Sequence, residues 1–326
     1  MQEKTKNILK IFIGIFVSLA LVTFLLVRAD IDSILYTFKK LSSNFLILLL
    51  LVHLIEIFIG TYKWKIVVKN YSIFDLFKGQ LISCFFSMVL PGQFFGEVAK
   101  TIQVTKNKND LTNISATVIF DKITGLISLL IVGAVGCILS KTPLPPIIPI
   151  GLSAMLGVLL SIVFLLQNKQ INIIINRIIE QASNKFKSIS KLSIKLLEIL
   201  NTLSILPKNL KKFLLSLSFG FIYQLLIVLT SYLISRDLNI YIHFYDWCWI
   251  IAFLSIALLM PLSFGGIGIR EGSLVGLLGI MHISPEKALA ISLVLLLLNF
   301  ATAVIGGIIL LTENLSAIFK KRSNCI

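Results

Sequence analysis

The fold of this chain is decided by PLSFGGIGIREG, residues 261–272. This stretch interrupts a long apolar run, about 247–281, with one proline, several small residues and the charged pair Arg270 and Glu271. Proline removes a backbone donor and glycine permits tight turns, so the pattern predicts that one helix ends here and another begins near Arg270. Free N–H groups at a helix N-terminus favour anions, and the planar donors of arginine suit phosphate. The break is therefore a candidate anion-binding site.

A second interrupted apolar run, about 76–99, contains LPGQFFGE at residues 90–97. Pro91, Gly92 and Gly96 predict another helix break, and Glu97 supplies a carboxylate beside it. Broken helices expose backbone polar groups, which is tolerated within a bilayer only inside protein or against a water-filled cavity. For both breaks we favour a functional role over a structural one.

Composition places the chain in a membrane. Of its 326 residues, 57% are hydrophobic and 14% are charged, and the mean hydropathy is +0.96. Soluble domains carry about 25% charged residues, so lipid must act as the solvent for much of this apolar surface. We predict a single all-α domain, 1–326, that forms a polytopic transmembrane helical bundle.

Six stretches are long and apolar enough to span a bilayer, which takes roughly 20 residues: about 8–28, 43–62, 111–140, 146–166, 212–235 and 287–312. Lysine and arginine favour the cytoplasmic ends of spans. Basic residues cluster in five segments that should therefore be cytoplasmic: the N-terminal tail, 63–78, 100–108, 167–212 and the C-terminus. The proline-rich loop near 141–149 carries one lysine, 236–246 is nearly neutral, and both should face outward.

The two interrupted runs complete the topology. Segments 63–78 and 100–108 share a side, so 76–99 must enter and leave the membrane from the cytoplasm. By the same argument, 247–281 must enter and leave from outside. We therefore predict about six full spans plus two oppositely inserted re-entrant helical hairpins, as inverted repeats produce in transporters. The alternative, one span plus an interfacial helix in 247–281, would put the basic C-terminus outside.

The polar segment 167–212 has apolar residues recurring at spacings of three and four. This period predicts a cytoplasmic amphipathic helix that either lies on the inner leaflet or packs on the cytoplasmic end of the bundle. We expect a multi-pass protein of the cell (cytoplasmic) membrane with both termini in the cytoplasm.

Asp121 and Lys122 lie about ten residues inside a predicted span. A charged side chain at mid-bilayer costs about 2.5–3.5 kcal/mol by insertion scales, so each calls for a partner. Adjacent residues on a helix do not face each other. Each charge should therefore meet a group on another element, either in a buried neutralising network or in direct contact with substrate.

Four further polar residues lie inside predicted spans. His53 and Glu56 are three residues apart on one helix face, so they should pair with each other or with a basic group, and we favour a structural role. Tyr223 and Gln224 lie in the middle of the 212–235 span, where helix–helix hydrogen bonding is the favoured role.

Several functions are disfavoured. The formal net charge is +15, but the basic residues lie between apolar runs, which fits anionic lipid rather than nucleic acid. Gly265-Gly266-Ile267-Gly268 lacks a following Lys-Ser/Thr and a preceding strand, so it is no nucleotide loop. The four cysteines and three histidines do not cluster, so we predict no metal and no other cofactor. We assign no catalytic residue.

Three motifs occur in order: Pro91-Gly92-x-x-x-Gly96-Glu97, Asp121-Lys122-x-x-Gly125-Leu126 and Pro261-x-Ser263-x-Gly265-Gly266-x-Gly268-x-Arg270-Glu271. Together they resemble the lysylphosphatidylglycerol synthase transmembrane, or flippase-like, family over nearly the whole chain. The resemblance implies a lipid-handling fold with two re-entrant helices meeting in mid-membrane. Many relatives have arginine where this chain has Lys122, and lysine loses bidentate contact with phosphate. The candidate substrate-binding residues are Arg270, Glu271, Glu97, Asp121, Lys122, Gly265, Gly266, Gly268, Ser263, Pro91, Gly92 and Gly96.

The resemblance implies two functions. The first is a translocase for a phosphate-bearing lipid, either an aminoacyl-phospholipid or a polyprenyl-linked or glycolipid substrate. The alternative is an accessory or biosynthetic component of lipid modification, of the lysylphosphatidylglycerol type, that works with a separate soluble transferase. The aminoacyl transferase of the resistance factors in this family is a soluble domain, so we expect no lysyl transfer by this chain alone. A structural or signalling protein would leave the buried charges unexplained. The oligomeric state stays open, a homo-oligomer included.

Overall fold

The computed structural model describes residues 41–90, 92, 94–106, 110–168, 209–260 and 263–323, together with 170, 171, 173, 174, 177, 199, 200 and 202–204. In this part of the chain, the regular elements are nine helices: α1 Ser43–Lys65, α2 Ile73–Val89, α3 Phe94–Thr105, α4 Leu111–Leu139, α5 Ile147–Gln167, α6 Leu210–Asp237, α7 Phe244–Leu258, α8 Ile269–Gly279 and α9 Pro285–Ser323. The prediction of an all-α protein is confirmed for these residues.

Helices α1, α2 and α6 begin at side-chain caps. In each, the capping side chain accepts a hydrogen bond from the backbone N–H three residues later, at 3.1–3.2 Å, which satisfies one of the free donors of the first turn. The caps are Ser42, Ser72 and Asn209. The polar residues just before each apolar run thus set where these helices start.

Five of the helices are long and apolar enough to cross a membrane, counted over the described residues. They are α1, α4, α5, α6 and α9, and they coincide with five of the six predicted spans. The sixth predicted span, about 8–28, lies outside the described residues, as does most of the predicted amphipathic segment 167–212. The chain is therefore a multi-pass helical membrane protein.

Each interrupted apolar run folds as two shorter helices in mutual contact. The run predicted at 76–99 forms α2 and α3, and the run predicted at 247–281 forms α7 and α8. Both breaks fall at the predicted glycine-rich stretches, although Pro91 and Pro261 themselves lie outside the described residues. The second helix of each pair carries a glutamate in its first turn, Glu97 in α3 and Glu271 in α8.

The packing repeats in two groups of four helices, α1–α4 and α6–α9. Helix α2 of the first group packs against α9 of the second, and α7 of the second packs against α4 of the first. Other contacts match in the same way. Helix α1 packs against α2 in the first group, as α6 packs against α7 in the second. Helix α4 also packs against α6, as α9 packs against α1. Each helix pair thus inserts against the long last helix of the other group, which interlocks the two halves.

Glycines allow these two exchanged contacts to be close. A Cβ at Gly136 of α4 would lie 2.6 Å from the Cβ of Cys248 in α7. A Cβ at Gly306 of α9 would lie 1.9 Å from the backbone oxygen of Leu81 in α2. Small residues at helix crossings let backbones approach closely, which improves the van der Waals packing that contributes to helix association in a bilayer. In both halves, a glycine on the long last helix therefore allows the close contact with a helix of the other half.

We expect Gly306→Ala to destabilise the protein by about 1–3 kcal/mol or more, because the added methyl group meets rigid backbone rather than a flexible side chain. The measurement is the midpoint of thermal unfolding in detergent. Gly157→Ala is the matched control, since its added Cβ on α5 would meet nothing within 4 Å. Equal midpoints for the two variants would contradict the close α2–α9 contact.

Candidate functional site

A cavity of about 300 Å³ lies between the two halves of the bundle. Helices α1, α2, α3 and α4 line it from one half and α6, α7, α8 and α9 from the other, whereas α5 contributes nothing. Its charged and titratable lining side chains are His53, Glu56, Lys63, Cys84, Glu97, Lys100, Asp121, Lys122, Tyr223 and Arg270. Such a group of ionisable side chains inside a membrane bundle is a functional-site signal.

Asp121 and Lys122 each pair with a different helix, as predicted. The Asp121 carboxylate lies 3.0 Å from the Lys63 ammonium of α1, which also donates to the Asp121 backbone oxygen at 2.6 Å. Lys122 turns the other way and lies 2.8 Å from the carboxylate of Glu97 on α3. Because neighbouring residues of a helix point in different directions, this one dipeptide joins α4 to both α1 and α3.

Glu97 is held between two lysines. Its second carboxylate oxygen forms an ion pair with Lys100, one turn later on α3, at 2.7 Å. The Lys100 side chain is 1% exposed, donates to the Gln80 side chain on α2 at 3.0 Å, and lies 4.4 Å from the centre of the Trp64 ring. A cation over an aromatic face is attracted by the ring quadrupole. Lys100 is thus compensated on three sides.

Arg270 enters the cavity from the other half of the bundle. It is 5% exposed, and its Nη2 donates to the backbone oxygen of Gly265 at 2.9 Å. Its Nη1 is buried and has no hydrogen-bond partner among the described residues. An arginine does not lose its proton at any ordinary pH, so this orphan donor is a place for an acceptor.

Glu271 has a different role from Arg270. One carboxylate oxygen accepts from the Gly268 N–H at 2.5 Å, and the other accepts from the Ser292 hydroxyl of α9 at 2.9 Å. The carboxylate therefore occupies the positive N-terminus of α8, where the sequence suggests an external anion. Glu271 does not line the cavity, so in this structure it holds the helix break in place.

The two helix breaks meet. The Gly92 N–H donates to the Ser263 oxygen at 3.2 Å, which joins the turn of one hairpin to the turn of the other. Gly265 and Gly266 have φ of 58° and 76°, a backbone region that other residues rarely adopt. A Cβ at Gly266 would also lie 3.2 Å from Nη2 of Arg270. These glycines shape the loop that carries Arg270.

Gly96 sets the spacing of the first hairpin rather than contacting the cavity. A Cβ there would lie 1.9 Å from the Ser87 hydroxyl of α2, so only glycine lets α3 lie this close to α2. Of the predicted site residues, Glu97, Asp121, Lys122 and Arg270 line the cavity, while Gly92, Gly96, Ser263, Gly265, Gly266, Gly268 and Glu271 build the breaks around it. Pro91 lies outside the described residues.

Comparison with known proteins agrees with these motifs. The family model described as the lysylphosphatidylglycerol synthase TM region matches residues 11–307. This chain belongs to that family. No curated protein matches the chain, and no solved structure matches it. The family resemblance read from the three motifs is confirmed, and it links this membrane bundle to lipid modification.

Two residues of the site are missed by sequence reasoning. The charge pattern places Lys63 and Lys100 in basic segments between apolar runs and does not indicate that their side chains are buried. They lie on α1 and α3, are 4% and 1% exposed, and line the cavity. The spacing of Lys100 three residues after Glu97 is a usable signal for an ion pair on a helix. Lys63 has no such signal, because its partner lies 58 residues away.

The remaining polar predictions concern α1 and α6. His53 Nδ1 lies 3.2 Å from a Glu56 carboxylate oxygen, which confirms that the two residues pair. Gln224 Nε2 donates to the Gly125 backbone oxygen of α4 at 3.3 Å, which confirms a helix–helix hydrogen bond. Both pairs also line the cavity.

We expect Lys63→Met to destabilise the protein by about 3–5 kcal/mol, because it leaves the Asp121 carboxylate buried without its partner. The double variant Lys63→Met/Asp121→Leu should recover much of that loss, since both charges are gone. The measurement is a double-mutant cycle on unfolding in mixed micelles.

The control for this cycle is Lys78→Met. Lys78 lies 4.0 Å from Glu313 with both side chains about one-third exposed, and exposed pairs contribute at most about 1 kcal/mol. A Lys63→Met loss no larger than the Lys78→Met loss would contradict a buried Lys63–Asp121 pair.

Proposed function

We propose that this protein binds the phosphate-bearing headgroup of a membrane lipid in the cavity and moves it across the membrane. The observation that carries the proposal is the charge of the cavity lining. Four cationic side chains, Lys63, Lys100, Lys122 and Arg270, stand against the carboxylates of Glu56, Glu97 and Asp121. With a neutral His53, the lining has an excess of positive charge.

Arg270 is the one of these four cations that has no ion-pair partner among the described residues. The three lysines are in contact with Asp121 or Glu97, whereas no carboxylate lies within ion-pair distance of Arg270 among the described residues. A buried cation without a counterion is unfavourable, and an anion that binds there relieves the cost. Phosphate is a good fit, because its oxygens accept from the planar donors of a guanidinium. Lipid tails would remain in the surrounding hydrocarbon.

We further propose that the two helix pairs α2–α3 and α7–α8 re-enter the membrane from opposite faces. Their breaks touch at Gly92 and Ser263, and each pair packs on the long last helix of the other half. This packing supports an inverted repeat, in which alternating access arises when one half rocks against the other around a central site. Both termini and the segments around Lys69 and Lys106 would then be cytoplasmic.

Single cysteines in a cysteine-free background test this topology. Lys69 and Lys106, on either side of the first helix pair, are exposed, and so is Lys141 after α4. We expect Lys69→Cys and Lys106→Cys to resist a membrane-impermeant maleimide added to intact cells, while Lys141→Cys is labelled. Labelling of Lys69→Cys and Lys106→Cys from opposite sides would show that the first helix pair crosses the bilayer.

Transport is tested by translocation of labelled lipids in reconstituted vesicles. Arg270→Gln removes the charge that lacks a counterion, so we expect the rate to fall at least tenfold, about 1.4 kcal/mol. Glu97→Gln should also slow transport, because it frees Lys100 and Lys122 from their shared partner. Lys141→Gln, a surface charge change outside the cavity, is the control. If Arg270→Gln and Glu97→Gln move lipid as fast as wild type, the assignment of the site is wrong.

The candidate substrates are an aminoacyl-phospholipid and a polyprenyl-linked or glycolipid phosphate. A second candidate function follows from the family description, which names a synthase. The chain would then present lipid to a separate soluble transferase, without a catalytic group of its own. Deletion separates the two functions: a translocase mutant keeps the lipid but in the wrong leaflet, whereas loss of a biosynthetic component removes the lipid species itself.

A further inference from the structure

Gln224 carries the second orphan atom of the cavity. Its Nε2 is used in the hydrogen bond to Gly125, but its Oε1 is buried and has no partner within the described part of the chain. The amide cannot simply be reversed, because Oε1 would then face the Gly125 oxygen, and two acceptors repel. Gln224 is 6% exposed and lines the cavity. A buried acceptor without a donor is costly, so this atom calls for an N–H or O–H group.

Two other hydroxyls of α6 that line the cavity do not supply that group. Thr230 donates to the Leu226 oxygen at 3.0 Å, and Ser231 donates to the Ile227 oxygen at 3.2 Å. Each hydroxyl has a single proton, which is spent on its own helix. Neither of these two hydroxyls therefore has a proton left to donate to Gln224 Oε1.

Glu56 adds a negative charge to the cavity lining. Unlike Glu97 and Asp121, it has no lysine or arginine within ion-pair distance in the described residues, and its partner there is His53. Tyr223, which precedes Gln224, packs on Gly60, one turn after Glu56: a Cβ at Gly60 would lie 3.1 Å from its ring. Glu56 and Gln224 therefore line the same cavity, on two helices that pack against each other.

We propose that Gln224 and Glu56 form an acceptor subsite that selects lipid headgroups carrying an O–H or N–H donor beyond the phosphate. The inference rests on the proposed function, in which Arg270 takes the phosphate. The two orphan atoms then have complementary roles, since Arg270 Nη1 requires an acceptor and Gln224 Oε1 requires a donor. A headgroup with both, such as a phosphodiester linked to a polyol or an amine, satisfies both atoms at once. A bare phosphate monoester satisfies one.

The test measures binding of dioctanoyl lipids to the purified protein in detergent by calorimetry, in two matched pairs. Phosphatidylglycerol and phosphatidylmethanol have the same charge and differ in hydroxyl donors. Phosphatidylethanolamine and phosphatidylcholine are both zwitterionic and differ in N–H donors. We expect the donor-bearing lipid to bind about tenfold more tightly in at least one pair, as one well-satisfied buried acceptor gives. The pair that shows the difference identifies the donor as a hydroxyl or an ammonium.

Variants assign the preference to these residues. Gln224→Leu and Gln224→Met should bring the ratio within a pair close to one while phosphatidylmethanol binds as before. Glu56→Gln should weaken phosphatidylethanolamine more than phosphatidylglycerol, because it removes charge and keeps an acceptor oxygen. Ser218→Ala is the control: Ser218 is exposed on α6, donates to the Leu214 oxygen and does not line the cavity.

The outcomes separate the subsite from the phosphate site. The subsite is overturned if the two lipids of each pair bind the wild-type protein with nearly equal affinity. It is also overturned if the affinity difference persists in Gln224→Leu and Gln224→Met. Either result leaves the proposed function intact. The comparison of lipid affinities on the wild-type protein needs no substitution, so it tests the subsite even if a variant does not fold. If none of the four lipids binds, the proposed function fails and the subsite with it. Glycerol 3-phosphate is the soluble comparison, and binding as tight as that of phosphatidylglycerol would point to a free phosphate compound rather than a lipid.

Discussion

The structure depends on the cost of placing charge inside a lipid-embedded bundle. An isolated ion in hydrocarbon is unfavourable by several kcal/mol, so buried charges must be compensated by other parts of the chain. Here the compensation crosses helices: Asp121 pairs with Lys63 of α1, and Lys122 shares Glu97 with Lys100 of α3. The electrostatic requirement thus fixes α4 between α1 and α3. The same requirement makes Arg270 informative, because no carboxylate of the described residues lies within ion-pair distance of this buried cation.

A second constraint comes from the helix breaks. The ends of the interrupted helices leave backbone polar groups without intrahelical partners, and the protein satisfies part of that demand itself. Glu271 accepts from the N–H of Gly268, just before α8, and from the hydroxyl of Ser292 in α9, and the turn at Gly92 donates to the turn at Ser263. The helix breaks are therefore held by hydrogen bonds within the protein. Glu271 caps the start of α8, and its neighbour Arg270 lines the cavity.

The cavity lining contains buried polar atoms that have no hydrogen-bond partner among the described residues. Most of its charge is neutralised internally, which explains how a membrane protein tolerates so many ionisable groups without ligand. The orphan donor on Arg270 and the orphan acceptor on Gln224 come from different helices of the same half, α8 and α6, while Glu56 comes from the other half. A bound headgroup would thus bridge the two halves, so its binding and their relative motion would be linked, as a transporter requires.

Hydropathy, proline and glycine were enough to predict the five described long helices, the two broken ones and the residues at the breaks, because span length and backbone breakage are local properties. The motif order likewise identified the family without a structure. Tertiary structure alone decided which charges meet. Lys63 looks like an ordinary loop lysine in sequence, and its partner Asp121 is far along the chain, so only helix packing brings them together. In the same way, Arg270 and Glu271 look equivalent as neighbours, yet one enters the cavity and the other caps α8, since adjacent helix positions point in different directions.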